Sequence, residues 1–322
     1  MEYIIIILIS ALLFIYFWKF TPYPFVLHLR SKKSTKRSKS PSNIDEIMNN
    51  IIKQEDQSYD SKYRNNTYDI YTPINNNKNT LIIWLHGGSF VSGNSKGMRN
   101  LGPMLAYKGY TVCAMNYAYA PEKSFPTQII QIDEMISYAI TNFGSFNKLV
   151  LGGDSAGANL VAAYSTLYRN KDKQNKLKIG LQTQKEIEAL LLFCGPYDFT
   201  EDYNNPQFKE YKKFMNYIGW SYLGKRKWFN TEISRLASPL LNIDTTFPPT
   251  YLTDGKKYSF LWQGRKLEQE LLKNNINVKS RYFEDMYHEF QFDYKQFPQE
   301  AFQVYEDVLF FLEEELSKSE KS

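Results

Sequence analysis

Cysteine is scarce in this chain, and so is histidine. Two cysteines, Cys113 and Cys194, occur among 322 residues, each inside an apolar run. Two thiols without a CxxC spacing exclude a disulfide framework and a cysteine-built zinc site. Buried free thiols are the expectation for both. Three histidines (His28, His86 and His288) supply few ligands for a metal centre, so no metal is expected. Surplus charge is also missing from most of the chain. The formal net charge is +5, yet Arg30, Lys32, Lys33, Lys36, Arg37 and Lys39 bring +6 within ten residues that hold no acid. Taking those six from +5 leaves −1 for everything else. A near-neutral body lacks the basic surface that a nucleic-acid-binding domain needs, and no nucleic acid is expected as a partner.

Charge is absent altogether between Glu2 and Lys19, where "EYIIIILISALLFIYFW" is almost continuously apolar. A spanning helix needs about 20 such residues, with ~17 at the low end. Tyr16 and Trp18 suit the membrane interface. A cleaved signal peptide needs basic residues before its apolar core and small ones after it. Here an acid precedes the core and bulky, basic residues follow, which favours an uncleaved anchor over residues 1–20. Residues 21–43 read as a basic juxtamembrane linker. The positive-inside rule then places the rest of this single-pass chain on the cytoplasmic side of the membrane. The basic cluster would lie against anionic headgroups, at about 1 kcal/mol per basic residue.

In "NIDEIMNNIIKQ", Ile44, Ile47, Met48, Ile51 and Ile52 fall at helical spacing, which predicts an amphipathic helix within a cap segment, 44–66. "TYDIYTP" alternates like a strand and "NNNKN" turns. Short apolar runs then recur at 81–85, 110–117, 148–153, 188–194, 249–255 and 278–283. Helix-like stretches lie near 97–108, 127–142, 157–169, 260–274 and 299–317. This alternation predicts an α/β domain over 67–318, with a mostly parallel sheet covered by helices on both faces. Residues 170–187 are polar and predict a surface excursion. Residues 197–248 are aromatic and irregular, too long for a connection, and predict a lid that shapes a pocket.

The chemistry centres on "LVLGGDSAGANLVAAY", in which Ser155 stands between Gly153 and Gly157. A G-x-S-x-G between a strand and a helix holds its serine in a strained turn at the carboxyl edge of a sheet. A serine hydroxyl needs a base within hydrogen-bond reach to act as a nucleophile. His288, in "YFEDMYHEFQF", follows the last strand and precedes the final helix, where such a base belongs. The oxyanion formed in acyl transfer needs backbone N–H donors. "WLHGGSF" after the first strong strand supplies Gly87, Gly88 and Ser89, which join the amide of Ala156. Gly88, Ser89 and Ala156 are the expected donors and Gly87 gives the bend, each donor being worth roughly 3–4 kcal/mol. His86 is expected to orient that loop.

The order HGG, "NYAYAPEKSFP", GDSAG, a PP-strand segment and "MYHEF" resembles the hormone-sensitive-lipase branch of the α/β-hydrolases. "FCGPYDF", "FPPTYLTDGKKYSF" and "HEFQF" resemble a bacterial esterase/lipase-like subgroup of that family. The resemblance runs over about 65–315. It implies carboxylic-ester hydrolysis by a Ser-His-Asp triad, no cofactor, and a cap over the pocket. Two departures stand out. The oxyanion motif is HGGS, not HGGG, which leaves the backbone donor in place. The family's acid follows the strand-ending glycine by three residues, and counting from Gly255 that position is Tyr258.

Asp254, immediately before Gly255, is the expected acid, and Asp198 in "GPYDF" is the alternative. Asp154 is expected to hold the nucleophile turn, and Glu122 and Asp133 to brace loops beneath the site. The aromatic insertion predicts a small-molecule ester with an apolar group as substrate. An amidase or peptidase on the same residues, or an inactive hydrolase-fold binding protein, are the competing readings.

Overall fold

The computed structural model describes residues 2–31, 40–144, 146–201 and 209–318. Of the basic cluster, only Arg30 falls within them. Strands β1 (Ile51–Ser58), β2 (Thr67–Pro73), β3 (Thr80–Leu85), β4 (Thr111–Met115), β5 (Lys148–Asp154), β6 (Ala189–Phe193), β7 (Thr250–Lys257) and β8 (Val278–Tyr287) form one sheet of order β1-β2-β4-β3-β5-β6-β7-β8. β1 and β2 run antiparallel to their neighbours, and the strands from β4 to β8 are parallel. This is the mostly parallel α/β sheet expected from the alternation of strands and helices, in the fold class that the family resemblance implies.

Helices α1 (Glu2–Phe20), α2 (Tyr23–Ser31) and α3 (Ile44–Asn49) precede the sheet. α4 (Leu101–Tyr107), α5 (Thr127–Asn142), α6 (Ala156–Leu167) and α7 (Lys171–Leu177) follow. α8 (Lys209–Leu223), α9 (Glu232–Leu236), α10 (Leu261–Lys273) and α11 (Pro298–Lys318) complete the set. After Thr80 the run "LIIWL" is apolar without interruption because β3 is buried on both faces. Leu81, Ile83 and Leu85 pack on one side with α5, α6 and α10, and Ile82 and Trp84 on the other with α4 and α11.

One segment departs from its sequence pattern. The predicted helix through Ile52 stops at Asn49, and Ile51–Ser58 pairs with β2, Ile51 opposite Pro73. β2 would otherwise leave an outer row of N–H and C=O groups unpaired, and pairing it outweighs the helical period of five apolar residues. The segment therefore becomes a mostly exposed edge strand of the sheet. The polar stretch 170–187 is also more ordered than its composition suggests, holding α7 and buried Leu181 and Ile187.

α8 and α9 lie in the insertion that follows β6. α8 turns Tyr211, Phe214, Met215 and Ile218 toward a cavity over the sheet. Its end is fixed to the loop after β3, where Phe90 stacks on Tyr222 at 3.8 Å between ring centroids.

Candidate active site

β5 delivers Ser155 to the edge of the sheet and α6 begins one residue later. Ser155 has φ 51° and ψ −117°, a backbone conformation that side chains rarely adopt. Its amide is held by the carbonyl of Phe193 at 2.8 Å. The glycines around it answer to close approach. A Cβ on Gly157 would stand 2.0 Å from the Leu85 carbonyl oxygen, and one on Gly153 would stand 2.5 Å from the Gly157 carbonyl carbon.

After β3 the chain turns through three consecutive positive φ angles: Gly88 at 122°, Ser89 at 57° and Phe90 at 64°. The Gly88 carbonyl accepts from the amides of Val91 and Ser92, at 3.1 and 3.0 Å, closing the turn. Gly88, Ser89 and Ala156 line the cavity beside Ser155. The amides of Gly88 and Ser89 donate to no other group among the described residues. Ala156 opens α6, where leading N–H groups have no intrahelical acceptor. Gly87, read from the sequence as the bend of this loop, turns its amide away from the oxyanion donors. Its amide donates to Asp154 Oδ2 at 2.7 Å, so it shapes the loop without offering a donor. Asp154 also accepts from Trp84 Nε1 at 2.8 Å and so ties β3, β5 and the loop together. His86 stacks on Tyr117, with its Nδ1 2.6 Å from the Gly87 carbonyl oxygen.

His288 follows β8, and its amide donates to the Lys257 carbonyl at 3.0 Å. Its Nε2 lies 3.0 Å from Ser155 Oγ, so strands far apart in sequence bring the expected nucleophile and base together. The acid side differs from expectation. Asp254 makes no direct hydrogen bond to His288. Ser259 stands between them, donating to Asp254 Oδ1 at 2.5 Å with its Oγ 2.6 Å from His288 Nδ1. Asp254 lies within β7, so its carboxylate ends short of the ring and the loop beyond folds Ser259 into the gap. Tyr258, at the position of the family's acid, is 72% exposed. Asp198 is not brought to the histidine: its Oδ1 accepts from the amide and hydroxyl of Thr200 at 2.6 and 2.7 Å. Asp133 accepts from Tyr164 and from the amides of Gln182 and Thr183, and Glu122 pairs with Arg30.

Burial sets the electrostatics. It pushes the Asp254 carboxyl up to about 8, against the Ser259 hydroxyl and the amides of Gly255 and Phe260, which favour the anion. It pulls the His288 imidazolium down, although the side chain keeps 24% exposure. Asp154 is raised to about 8 by burial and then by the nearby Glu289. Cys194 lies beside Asp254 and His288, and burial holds it as a neutral thiol.

The cavity above Ser155 has a volume of about 730 Å³. Phe90, Phe214, Met215, Ile218 and Phe260 give it an apolar wall, and Glu210 and Glu289 give it polar edges. α2 braces this wall from outside. Phe25 stacks on Tyr217 at 4.7 Å and meets Phe214 edge-on, while Arg30 holds Glu122 and the carbonyls of Val91 and Ala120. α1 contains an 18-residue stretch, Tyr3–Phe20, long and apolar enough to cross a membrane, with none of it buried by the rest of the chain.

A protein-family model described as BD-FAE matches residues 68–271. Among curated proteins, an arylesterase of Saccharolobus solfataricus is 36% identical over 118 residues, 35% of this chain and 37% of that protein. An esterase of Acinetobacter venetianus is 25% identical over 235 residues, covering 72% of this chain and 74% of that one. Three curated relatives, the arylesterase among them, are matched over 37%, 42% and 41% of their own length, so the chain spans about two fifths of each. Among solved structures, esterase B from Lactobacillus Rhamnosis superposes with a TM-score of 0.72 at 17% identity, over 93% of this chain and 94% of that one. A fungal esterase from Rhizomucor miehei gives 0.69 at 19% identity, over 91% and 92%. These likenesses extend the fold over nearly the whole chain.

Proposed function

The chain belongs to the BD-FAE family, and from that premise we propose that it is a membrane-anchored serine hydrolase that cleaves carboxylic esters through an acyl-enzyme. The observation that carries this reading is the 3.0 Å contact of Ser155 Oγ with His288 Nε2 beneath an apolar cavity. Ser155 Oγ attacks the ester carbonyl as its proton passes to Nε2. The charge that develops on the carbonyl oxygen is met by the amides of Gly88, Ser89 and Ala156, fixed in advance by the turn and the start of α6. Nε2 then gives the proton to the departing alcohol. Water repeats the sequence on the acyl-enzyme and frees Ser155.

The substrate class follows from the walls. Phe214, Met215, Ile218 and Phe260 favour an apolar acyl or alcohol group, and a cavity of about 730 Å³ is within the usual size range for small-molecule sites. The anchor reading is supported by α1, whose apolar surface finds no cover among the described residues, and by the positive charge that follows it in sequence. That charge asymmetry favours a cytoplasmic catalytic domain.

The test is a panel of nitrophenyl esters of increasing acyl length beside the corresponding anilides. Ester turnover that exceeds anilide turnover and disappears in Ser155→Ala supports the reading. Anilide turnover in excess would make the chain an amidase. Ester turnover that persists in Ser155→Ala would remove Ser155 from the chemistry.

A further inference from the structure

We propose that Ser259 is a positioning residue that sets the tautomer of His288, through a hydrogen-bond chain Asp254–Ser259–His288 with one productive and one idle direction. The inference rests on the hydrolase reading and deepens it. Ser259 is fully buried, with Oγ 2.5 Å from Asp254 Oδ1 and 2.6 Å from His288 Nδ1. A hydroxyl carries one proton, and a carboxylate can only accept. When Asp254 is ionised, the Ser259 proton must therefore face it. Ser259 Oγ must then accept from the ring, so Nδ1 carries the imidazole proton. Nε2 is left with its lone pair toward Ser155 Oγ, the state in which it can take the serine proton.

Adding one proton to this chain has two possible outcomes. It can stay on Nε2 as an imidazolium facing a carboxylate. Alternatively the protons shift along the chain: Nδ1–H passes to Ser259, the Ser259 proton passes to Asp254, and Nε2 keeps the added one. The second arrangement holds the same protons with no net charge on either residue. Removing charges from water is costly, so burial favours it. Asp254 is then a neutral acid donating to Ser259, Ser259 donates to Nδ1, and Nε2–H has no lone pair for Ser155. Burial raises Asp254 and lowers His288, and both directions favour this neutral form.

At the Asp254 end the titratable neighbours are neutral, and at the His288 end they are acidic. Cys194 and Tyr197 beyond β6, Tyr211 from α8 and Tyr282 from β8 all face Asp254, and burial keeps each of them neutral. The acidic pair Asp154 and Glu289 lies on the Nε2 side, with Glu289 Oε1 3.9 Å from that atom. The Tyr211 hydroxyl donates to the Ser259 carbonyl at 3.3 Å, which fixes the turn from the cap.

The experiment is 15N NMR of the full chain in detergent, labelled at histidine, alongside pH profiles of ester turnover. Three histidines keep the spectrum readable, and His288→Asn identifies the signal. As pH rises, His288 should pass from a neutral Nε2–H ring to a neutral Nδ1–H ring, with kcat rising in the same transition. Ser259→Ala should lower the plateau kcat roughly 10²-fold with KM within about twofold. It should also move the acid limb to lower pH, because the ring then titrates without Asp254. Ser259→Thr, which keeps the hydroxyl, should restore the limb and bring kcat to within about tenfold of wild type. An imidazolium formed in that same transition, or a Ser259→Ala profile with an unmoved limb, would overturn the proposal. If wild type hydrolyses no ester, the hydrolase reading fails while the NMR transition still decides the hydrogen-bond chain.

Discussion

On one side of Ser155 Oγ stand the serine turn and the loop of Gly88, Ser89 and Phe90; on the other stand His288, Ser259 and Asp254. The first wall is fixed by backbone sterics. Three positive φ angles in the loop and one at Ser155 are locked where carbonyls pass too close to glycine positions for any Cβ. The second wall is fixed by side-chain hydrogen bonds among buried groups, and its geometry depends on where two protons sit. The first wall should therefore respond mainly to added volume, with pH reaching it only through the Asp154 carboxyl that holds the Gly87 amide. The second should tolerate conservative volume changes and respond to pH.

The largest expected effect on turnover comes from breaking the second wall at its far end. Asp254→Asn keeps the shape and removes the anion, and kcat should fall roughly 10³-fold, somewhat less than for an acid in direct contact with its histidine. The same change should stabilise the protein at alkaline pH. A carboxyl raised from 3.8 to about 8 by burial binds its proton more tightly folded than unfolded. Its contribution to stability is complete below pH 4 and is lost as pH rises through about 8. Asparagine escapes that loss, so the melting temperature of the variant should exceed wild type at pH 9 and match it at pH 4. Each kcal/mol recovered is worth about 2–4 °C in a domain of this size. A variant equally stable to wild type at both pH values would show that Asp254 is not held up by burial.

Gly157→Ala tests the first wall. Its Cβ meets backbone, which cannot swing aside, 2.0 Å away. Overpacking of that kind costs about 1–3 kcal/mol or more, and a displaced Ser155 should reduce kcat roughly 10²-fold. The loss should vary with pH far less than that of Ser259→Ala. A loss that varied with pH as much as that one would mean that the two walls are not separable. The smallest effect is expected for Asp198→Asn. Its carboxylate serves Thr200, so kcat should stay within about twofold of wild type at every pH. A large loss there would return Asp198 to the reaction.

The division between walls also explains what could be read in advance. Gly153, Ser155 and Gly157 declare a tight strand-to-helix turn because sterics leave a mark on residue type. The pairing of His288 with Ser155 was legible from strand order. Ser259 left no such mark. A serine is common in loops, and its partners exist only once β7 and β8 lie side by side and return His288 to the carbonyl of Lys257. The tie that holds the Gly87 bend left no mark for a related reason, since the carboxylate that captures its amide comes from Asp154 on another strand. The segment after Asn49 has a helical apolar period and nonetheless pairs as an edge strand, because the unfilled edge of β2 is a property of the whole sheet.

The central claim is that Ser155 is a nucleophile activated by His288, and covalent labelling tests it most directly. The full chain treated with a fluorophosphonate should gain one adduct, mapped by mass spectrometry to the peptide that contains Ser155. Labelling should vanish in Ser155→Ala and fall steeply in His288→Asn. Folded wild-type protein that takes up no label, or an adduct on another residue, would contradict the account.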